Sequence, residues 1–247
     1  MAKHDKKNLD VPMLLSPAAP FPYTEAYKTL RTNLSFASIS KQYKKIIITS
    51  ALPNEGKSTV ATNLAITLAE SDARVLLIDC DLRNPTLRRL LRVRPEYKKG
   101  LTSLLAGQST AEECIISHPK IKCDILLAGT TPPNPVELLS SPQMEELLNK
   151  FSENYDYIIC DTPPVSVVTD AAALSRFCDG VILVVRQKAS TKEQVHAAKR
   201  NLDAVQANIL GTIMSHYDLS QDPQAANPYY GGYYHYGSTE KTGKRHK

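Results

Sequence analysis

Apolar residues along this chain fall into short, β-branched runs that alternate with longer stretches of helical spacing. Six short runs predict buried strands, at 44–50, 74–79, 123–127, 155–161, 180–185 and 209–214. Between them, the spacing and the turn residues predict helices, chiefly at 23–39, 60–70, 140–151, 170–174 and 191–205. This alternation indicates an α/β fold with a central, mostly parallel sheet covered by helices on both faces. In such folds the ligand binds at the carboxyl ends of the strands.

The two ends of the chain do not share this pattern. Residues 1–22 carry three lysines and four prolines, which predicts a flexible N-terminal arm. Residues 217–247 contain no Ile, Val, Phe or Met, so they cannot bury enough apolar surface to fold and are predicted to form a disordered tail. The folded domain is expected to span residues 23–216. Five of the chain's twelve tyrosines cluster within eight residues of this tail, namely Tyr229, Tyr230, Tyr233, Tyr234 and Tyr236.

The first strand run leads into a loop and a helix that carry the most specific motif of the chain. From residue 51 the loop reads Ala-Leu-Pro-Asn-Glu-Gly-Lys-Ser-Thr, a P-loop (Walker A) pattern with Ala51 in place of the usual first Gly. A helix N-terminus attracts anions, and Gly56 allows the backbone to approach phosphate oxygens closely. Lys57 supplies a positive charge to the β- and γ-phosphates, and Ser58 offers a hydroxyl to Mg²⁺. The residues predicted to bind ATP are Pro53, Asn54, Glu55, Gly56, Lys57, Ser58 and Thr59.

Two later strand runs end in carboxylates. The second run leads into Asp79 and Asp81, and the fourth ends at Asp161. An acid after a strand often caps the next helix, but here the carboxyl ends of the strands are expected to bring all three acids near the P-loop. Asp161 is interpreted as the Walker B carboxylate, and Ser58, Asp81 and Asp161 are the predicted Mg²⁺ ligands. The sequence does not separate the roles of the three carboxylates.

Composition narrows the classes of function. The chain has 247 residues and a formal net charge of +5, with Lys and Arg scattered along it, which does not establish nucleic-acid binding. Its five cysteines lack paired spacing, which fits a protein of the reducing cytoplasm. The polar first ten residues do not form a signal peptide, and no apolar run approaches the ~20 residues of a transmembrane helix. Any membrane association is therefore expected to depend on a partner.

Three features together resemble the bacterial tyrosine kinase (BY-kinase) family of capsule and exopolysaccharide loci. They are the P-loop with the strand end L-L-I-D-C-D-L-R-N-P, the strand end Y-I-I-C-D-T-P-P, and the C-terminal tyrosine cluster. The resemblance implies a P-loop NTPase fold that uses ATP and Mg²⁺ to phosphorylate the tail tyrosines. It assigns Lys57, Ser58, Asp79, Asp81 and Asp161 to the catalytic site, with Asp79 and Asp81 in the family's Walker A′ motif. We expect Asp79 to accept the proton of the tyrosine hydroxyl, whose ordinary pKa is about 10.

The resemblance also implies assembly and partners. The family's Glu-x-x-Arg-x-x-Arg assembly motif falls on Glu25, Lys28 and Arg31, where Lys28 keeps the charge of Arg without its bidentate geometry. From the residues alone, the same three charges equally fit a solvated helix face. The implied partners are a transmembrane adaptor that recruits the chain to the inner face of the membrane, protein substrates such as sugar-nucleotide dehydrogenases or glycosyltransferases, a cognate tyrosine phosphatase, and further copies of the chain in a ring.

Other functions compete with the kinase at the level of sequence. A nucleotide-switched positioning ATPase of the partitioning and septum-site type transfers phosphate only to water, and an interaction scaffold holds ATP as a structural ligand. The clustered tail tyrosines also fit a platform for stacking single-stranded nucleic acid, but no basic groove accompanies them. The tyrosine cluster favours the kinase because a positioning switch has no use for it. Intact Lys57, Asp79 and Asp161 disfavour the scaffold.

Overall fold

Seven strands form a single sheet in the computed structural model, which describes residues 14–39, 41–94, 97–118 and 121–218. Their order across the sheet is β3-β4-β2-β5-β1-β6-β7. All neighbours are parallel except β3, which runs antiparallel to β4. The predicted α/β fold with a central, mostly parallel sheet is confirmed. The strands are β1 (Lys45–Ser50), β2 (Val75–Asp79), β3 (Ile115–Ser117), β4 (Asp124–Leu126), β5 (Tyr157–Asp161), β6 (Gly180–Arg186) and β7 (Ile209–Ser215).

Helices connect these strands and cover both faces of the sheet. One apolar cluster joins the sheet to α1, α2 and α3, and a second cluster joins its other face to α6, α7, α8 and α9. Because β1 and β2 are buried on both faces, their aliphatic residues follow one another without polar alternation. The helices are α1 (Phe21–Ala37), α2 (Lys57–Ala69), α3 (Leu87–Leu90), α4 (Leu101–Leu105), α5 (Ala111–Cys114), α6 (Pro135–Leu139), α7 (Pro142–Asn154), α8 (Asp170–Ser175) and α9 (Lys192–Asp203).

The helix that follows the P-loop is enclosed between the sheet and another helix. From Val60 to Ala69 every side chain of α2 is buried, because α1 covers the side of α2 that the sheet leaves open. Tyr27 and Leu34 are the buried residues of α1 at this contact. A helix that is apolar on most sides is expected at such a position, and its enclosure fixes the direction of its N-terminus.

The register of neighbouring strands places the acidic residues at the same edge of the sheet. Asp79 and Asp161 lie opposite each other at the carboxyl ends of β2 and β5. Strand β1 pairs with the other side of β5, so the loop that follows β1 lies at the same edge of the sheet. The topology therefore brings the P-loop and the two carboxylates to one edge, as expected for a parallel sheet.

The observed elements differ from the sequence prediction at four places. Helix α1 begins at Phe21, two residues before the predicted start at Tyr23. Part of the predicted arm lies against α2, where Leu15 is buried and its N–H donates to Oδ1 of Asn63 at 2.8 Å. Strand β3 and helix α6 were not predicted, because elements of three and five residues are too short to show a period.

Some of the predictions fall outside the described residues. Residues 1–13 of the predicted arm and residues 219–247 of the predicted tail are among these, so what the sequence indicates for these two stretches stays a prediction. Within the part of the chain that is described, no helix combines the length and the apolar character needed to cross a membrane. The tyrosines outside the described part are Tyr229, Tyr230, Tyr233, Tyr234 and Tyr236.

Candidate active site

The P-loop joins β1 to α2 in a conformation that leaves the N-terminus of the helix open. Gly56 occupies the N-cap position of α2 with a φ of 87°, and Asn54 has a φ of 62°. A left-handed φ favours Gly, and Asn is one of the few other residues that adopt it readily. No side chain of the described residues caps α2. Its first backbone N–H groups are therefore available to an anion, together with the positive end of the helix dipole.

Lys57 is the first residue of α2 and is largely buried. Its side chain is 11% exposed, and its Nζ lies 3.4 Å from Oδ2 of Asp81. This ion pair joins the P-loop helix to the segment that follows β2. It brings two of the predicted catalytic residues together, and it gives the Lys57 ammonium a partner that competes with phosphate.

Asp79 ends β2 and is fully buried. Its Oδ1 accepts the N–H of Asp81 at 3.2 Å, and its Oδ2 accepts the N–H of Leu87 at 3.1 Å. Burial raises the pKa of Asp79 well above its ordinary value, and the charge of the nearby Asp161 raises it further. A carboxylate with a raised pKa is a stronger base, which suits the predicted role of proton acceptor.

Asp161 ends β5 and is also fully buried, but its hydrogen bonding differs from that of Asp79. Neither of its carboxylate oxygens accepts a hydrogen bond of normal geometry from the described residues. Burial raises its pKa to about 6, and this value already includes the opposite effect of the nearby Lys57 ammonium and Ser58 hydroxyl, which lower it. A buried carboxylate without hydrogen bonds costs free energy unless another group binds it. Both oxygens are therefore available to a cation.

The predicted Mg²⁺ ligands meet at this edge of the sheet. Ser58 Oγ accepts a hydrogen bond from the Thr86 hydroxyl at 2.8 Å. The Ser58 hydroxyl and the Asp81 charge are both near enough to the Asp161 carboxylate to shift its pKa, Ser58 downward and Asp81 upward. Among the described residues, no group of three or more His, Cys, Asp or Glu side chains forms a ready-made metal site. Mg²⁺ at phosphate sites takes one or two carboxylates and completes its shell with phosphates and water. Ser58, Asp81 and Asp161 fit this smaller ligand set.

The other P-loop side chains differ in exposure. Pro53 and Asn54 are exposed, and Thr59 is half-buried. Glu55 is buried, and its carboxylate accepts hydrogen bonds from the P-loop itself, from the end of β6 and from the segment between β6 and α9. These bonds occupy the Glu55 side chain, which leaves only its backbone to face a phosphate.

Sequence reasoning missed two further contacts around the site, in addition to Thr86. Arg83 Nε donates to both carboxylate oxygens of Asp170, at 3.0 and 3.2 Å, and Asp170 is fully buried at the start of α8. Ser215 Oγ donates to the carbonyl oxygen of Glu55 at 2.6 Å. Each contact joins segments far apart in the chain, so no local pattern indicates it.

The three charged residues predicted for assembly lie on α1. Lys28 Nζ is 2.7 Å from Oε1 of Glu25, and both side chains are partly exposed. Arg31 Nη1 donates to the carbonyl oxygen of Thr67 in α2 at 2.7 Å. Within one chain, Arg31 thus links α1 to α2, and the other two form an intrahelical pair of the kind that contributes little by itself. Their role between subunits stays a prediction.

The segment from β1 to β7 matches a known domain family. Residues 43–215 match the family model described as an AAA domain. Tyrosine-protein kinase YwqD of Bacillus subtilis (strain 168) is 43% identical over 208 residues, which make up 84% of this chain and 86% of YwqD. The crystal structure of the chimerical protein CapA2B2 is similar with a TM-score of 0.75 and 37% identity, over 81% of this chain and 86% of the chimera.

A positioning ATPase shares the fold at a greater distance. The septum site-determining protein MinD of Pyrococcus horikoshii OT3, solved in complex with Mg-ADP, has a TM-score of 0.61 and 26% identity over 74% of this chain and 75% of MinD. The kinase relatives are closer both in sequence and in structure. Because YwqD is this similar over most of both chains, and the AAA-domain model matches most of this one, the chain belongs to the bacterial tyrosine-protein kinase family.

Proposed function

We propose that this chain is an ATP-dependent protein-tyrosine kinase that phosphorylates its own C-terminal tyrosine cluster and so regulates the synthesis and export of capsular or extracellular polysaccharide. The observation that carries the ATP-dependent part of the proposal is one buried site that combines Lys57, at an open helix N-terminus, with the carboxylate of Asp161, which accepts no hydrogen bond from the described residues. Membership in the tyrosine-protein kinase family supports the reaction type. The five tail tyrosines supply acceptors within the chain.

The start of α2 is proposed to hold the phosphates of ATP. Lys57 exchanges Asp81 for a phosphate oxygen, and the backbone N–H groups of the first helical turn bind the others. Ser58, Asp81 and Asp161 would hold Mg²⁺, and Thr86 orients the Ser58 hydroxyl through their hydrogen bond. Bound Mg²⁺ neutralises charge on the phosphoryl group that is transferred. Since phosphoryl transfer has a loose transition state, this positioning and charge stabilisation supply most of the catalysis.

Asp79 is proposed to accept the proton of the attacking tyrosine. The phenol oxygen forms the new bond to phosphorus, the bond from phosphorus to the β–γ bridging oxygen breaks, and ADP leaves. A phenol has an ordinary pKa of about 10, so its proton leaves late in this step. Two backbone N–H groups hold the Asp79 carboxylate in place, and burial makes it more basic than an exposed Asp.

The likeness to MinD favours a second candidate, a positioning ATPase that transfers phosphate only to water. The two candidates share the nucleotide site and differ in the acceptor. A positioning ATPase releases ADP and phosphate and leaves the tail unmodified. A kinase transfers part of the phosphate to tyrosine, so a phosphotyrosine assay separates the two.

The proposed partners follow from the family. The solved CapA2B2 relative is a chimera, which supports a partner polypeptide that acts together with the kinase. We propose a transmembrane adaptor that recruits the chain to the inner face of the cell membrane, and a cognate tyrosine phosphatase that resets it. Sugar-nucleotide dehydrogenases and glycosyltransferases are the proposed protein substrates, because they supply and use the precursors of polysaccharide.

The tail is expected to become phosphorylated when the full chain is incubated with ATP and Mg²⁺. An anti-phosphotyrosine blot measures the product, and replacing all five tail tyrosines with Phe should remove the signal because the acceptor hydroxyls are gone. Tyr97→Phe is the control, since it removes an exposed hydroxyl of the folded domain. Undiminished labelling of the variant without tail tyrosines, or ATP hydrolysis without any phosphotyrosine, would contradict the proposal.

The same variants show whether transfer occurs between chains. Ser215 and Tyr233 are separated by 18 residues, which span at most roughly 60 Å, so the tail reaches either its own site or that of a neighbour. A ring presents each tail to an adjacent P-loop at high effective concentration. We therefore expect an active chain that lacks the tail tyrosines to label a Lys57→Met chain that retains them. Transfer occurs within one chain if the Lys57→Met chain in this mixture stays unlabelled and the parent labels itself to an extent that does not depend on protein concentration.

Assembly into a ring is expected to depend on the charges of α1. Exchanging Glu25→Lys with Lys28→Glu keeps an intrahelical pair and the Arg31 contact, but reverses the charges that a neighbour meets. In a head-to-tail ring each contact recurs, so the reversal acts at every interface. Light scattering should show the parent assembled and the exchange variant monomeric, like a triple Ala variant of the motif. If the exchange variant has the same assembly mass as the parent, these charges do not hold subunits together and form only a solvated helix face.

A further inference from the structure

One acidic side chain of the P-loop is buried away from the place where phosphate binds. Glu55 is 1% exposed, although it lies in the loop between two exposed residues and the helix N-terminus. A buried carboxylate costs free energy unless hydrogen bonds satisfy it. The bonds that Glu55 makes therefore show what it does in this loop.

The Glu55 carboxylate joins the P-loop to the segment after β6. Its Oε2 accepts the N–H of Leu52, within the loop, at 2.7 Å. Its Oε1 accepts the N–H of Arg186, at the end of β6, at 3.1 Å, and a short hydrogen bond from the Ser190 hydroxyl. One side chain thus closes the P-loop onto itself and anchors it to a strand 131 residues further along the chain.

Two more hydrogen bonds support the same connection. Arg186 Nη1 donates to the carbonyl oxygen of Asn54 at 3.2 Å, and Ser215 Oγ donates to that of Glu55 at 2.6 Å. The ends of β6 and β7 therefore hold the loop at the two residues that precede Gly56. These are the residues that set the path of the backbone toward α2.

The geometry points to Glu55 as a positioning residue that holds the P-loop in the shape that binds ATP. The loop includes left-handed conformations at Asn54 and Gly56, which an unrestrained loop adopts only part of the time. If only a fraction of molecules has the competent loop, the apparent dissociation constant rises in inverse proportion to that fraction. Glu55 then acts on ATP affinity through the backbone, without touching the nucleotide. This inference rests on the proposed ATP site and adds to it the residue that keeps the site formed.

The two acceptors of a carboxylate explain why the residue is Glu rather than Gln. The N–H groups of Leu52 and Arg186 each need an oxygen, and they approach different oxygens of Glu55. A Gln side chain has a single acceptor oxygen, and its NH₂ group would face one of the two N–H groups, donor against donor. Glu55→Gln therefore keeps the size of the side chain but loses one end of the connection.

Glu55→Gln is expected to raise the KM for ATP by about tenfold and to leave kcat within about twofold, because saturating ATP repopulates the competent loop. The dissociation constant of Mg-ADP, measured by calorimetry, should rise by the same factor. Glu70→Gln is the matched control, because it removes the same charge from an exposed acid at the other end of α2. Its KM and dissociation constant should equal those of the parent.

Three results separate the possible outcomes. If the parent binds no Mg-ADP, the proposed function fails and not merely this inference. If the parent binds and folded Glu55→Gln has the same KM and dissociation constant, or loses kcat alone, Glu55 does not position the loop. If Glu55→Gln does not fold, a double variant Ser190→Ala, Ser215→Ala weakens the same connection while keeping the carboxylate and both backbone bonds. An unchanged KM in that double variant overturns the inference.

Discussion

Asp161→Asn is expected to raise the melting temperature of the nucleotide-free protein at pH 7.5 while it lowers Mg²⁺-dependent phosphorylation at least about a hundredfold. The stabilisation follows from burial. Both oxygens of Asp161 lack a hydrogen bond from the described residues, and burial raises the pKa of this carboxyl to about 6. A neutral amide removes the cost of the buried charge, about 1–3 kcal/mol, which is several degrees for a chain of this length. Lys57 keeps Asp81 as its partner.

The gain in stability should depend on pH in a defined direction. In the unfolded chain Asp161 ionises near its ordinary pKa of about 3.9, whereas in the folded chain it stays protonated up to about pH 6. Above pH 6 both states are ionised, and the folded one bears the full cost of the buried charge. The difference between the Asn variant and the parent should therefore be largest above pH 6 and should vanish as the pH falls to about 4.

A second aspartate provides the control for this prediction. Asp156 lies just before β5 and accepts hydrogen bonds from both the backbone and the guanidinium of Arg74, which lower its pKa. Asp156→Asn should therefore lower the melting temperature slightly or leave it unchanged, and should leave phosphorylation intact. Thermal unfolding of the parent, Asp161→Asn and Asp156→Asn from pH 4 to pH 7.5 tests both the expected rise and the expected small fall in melting temperature. Asp161 is not the metal-binding carboxylate if its Asn variant retains normal Mg²⁺-dependent activity.

Lys57→Met is expected to abolish detectable tail phosphorylation, a loss of at least about a hundredfold, because it removes the fixed positive charge at the transferred phosphate. It should also destabilise the protein. The Lys57 side chain is the ion-pair partner of Asp81, whose own side chain is only 5% exposed. Removing one member of a buried pair leaves the other charge without compensation, which typically costs about 3–5 kcal/mol.

A double variant separates loss of chemistry from loss of folding. Lys57→Met with Asp81→Asn removes both charges, and the Asn oxygen can still accept the N–H of Asn84 as Asp81 does. We expect the double variant to regain most of the thermal stability and none of the activity. Quantitative phosphotyrosine blots and melting curves on the same samples provide the comparison. Activity that returns together with stability would mean that neither Lys57 nor Asp81, which is itself a proposed Mg²⁺ ligand, serves the chemistry.

Local sequence patterns determined the main outline of this protein. Continuous aliphatic runs predicted the central parallel strands, because a strand buried on both faces needs no polar alternation. The P-loop and its following helix were readable because the turn, Gly56 and Lys57 lie within a few residues of each other. The grouping of Asp79 and Asp161 was also predictable, because parallel strands bring their carboxyl ends to one edge.

Only the tertiary structure decided how the residues of the site are held. The sequence marked Glu55 as a P-loop residue, but its bonds to Arg186 and Ser190 depend on strand β6 lying beside β1. The burial of Lys57 against Asp81, the lack of hydrogen bonds on Asp161 and the Thr86–Ser58 contact likewise arise where separate segments meet. Short-range periodicity and turn chemistry encode the elements themselves, whereas these contacts depend on how the elements pack, and packing is set by the whole chain at once.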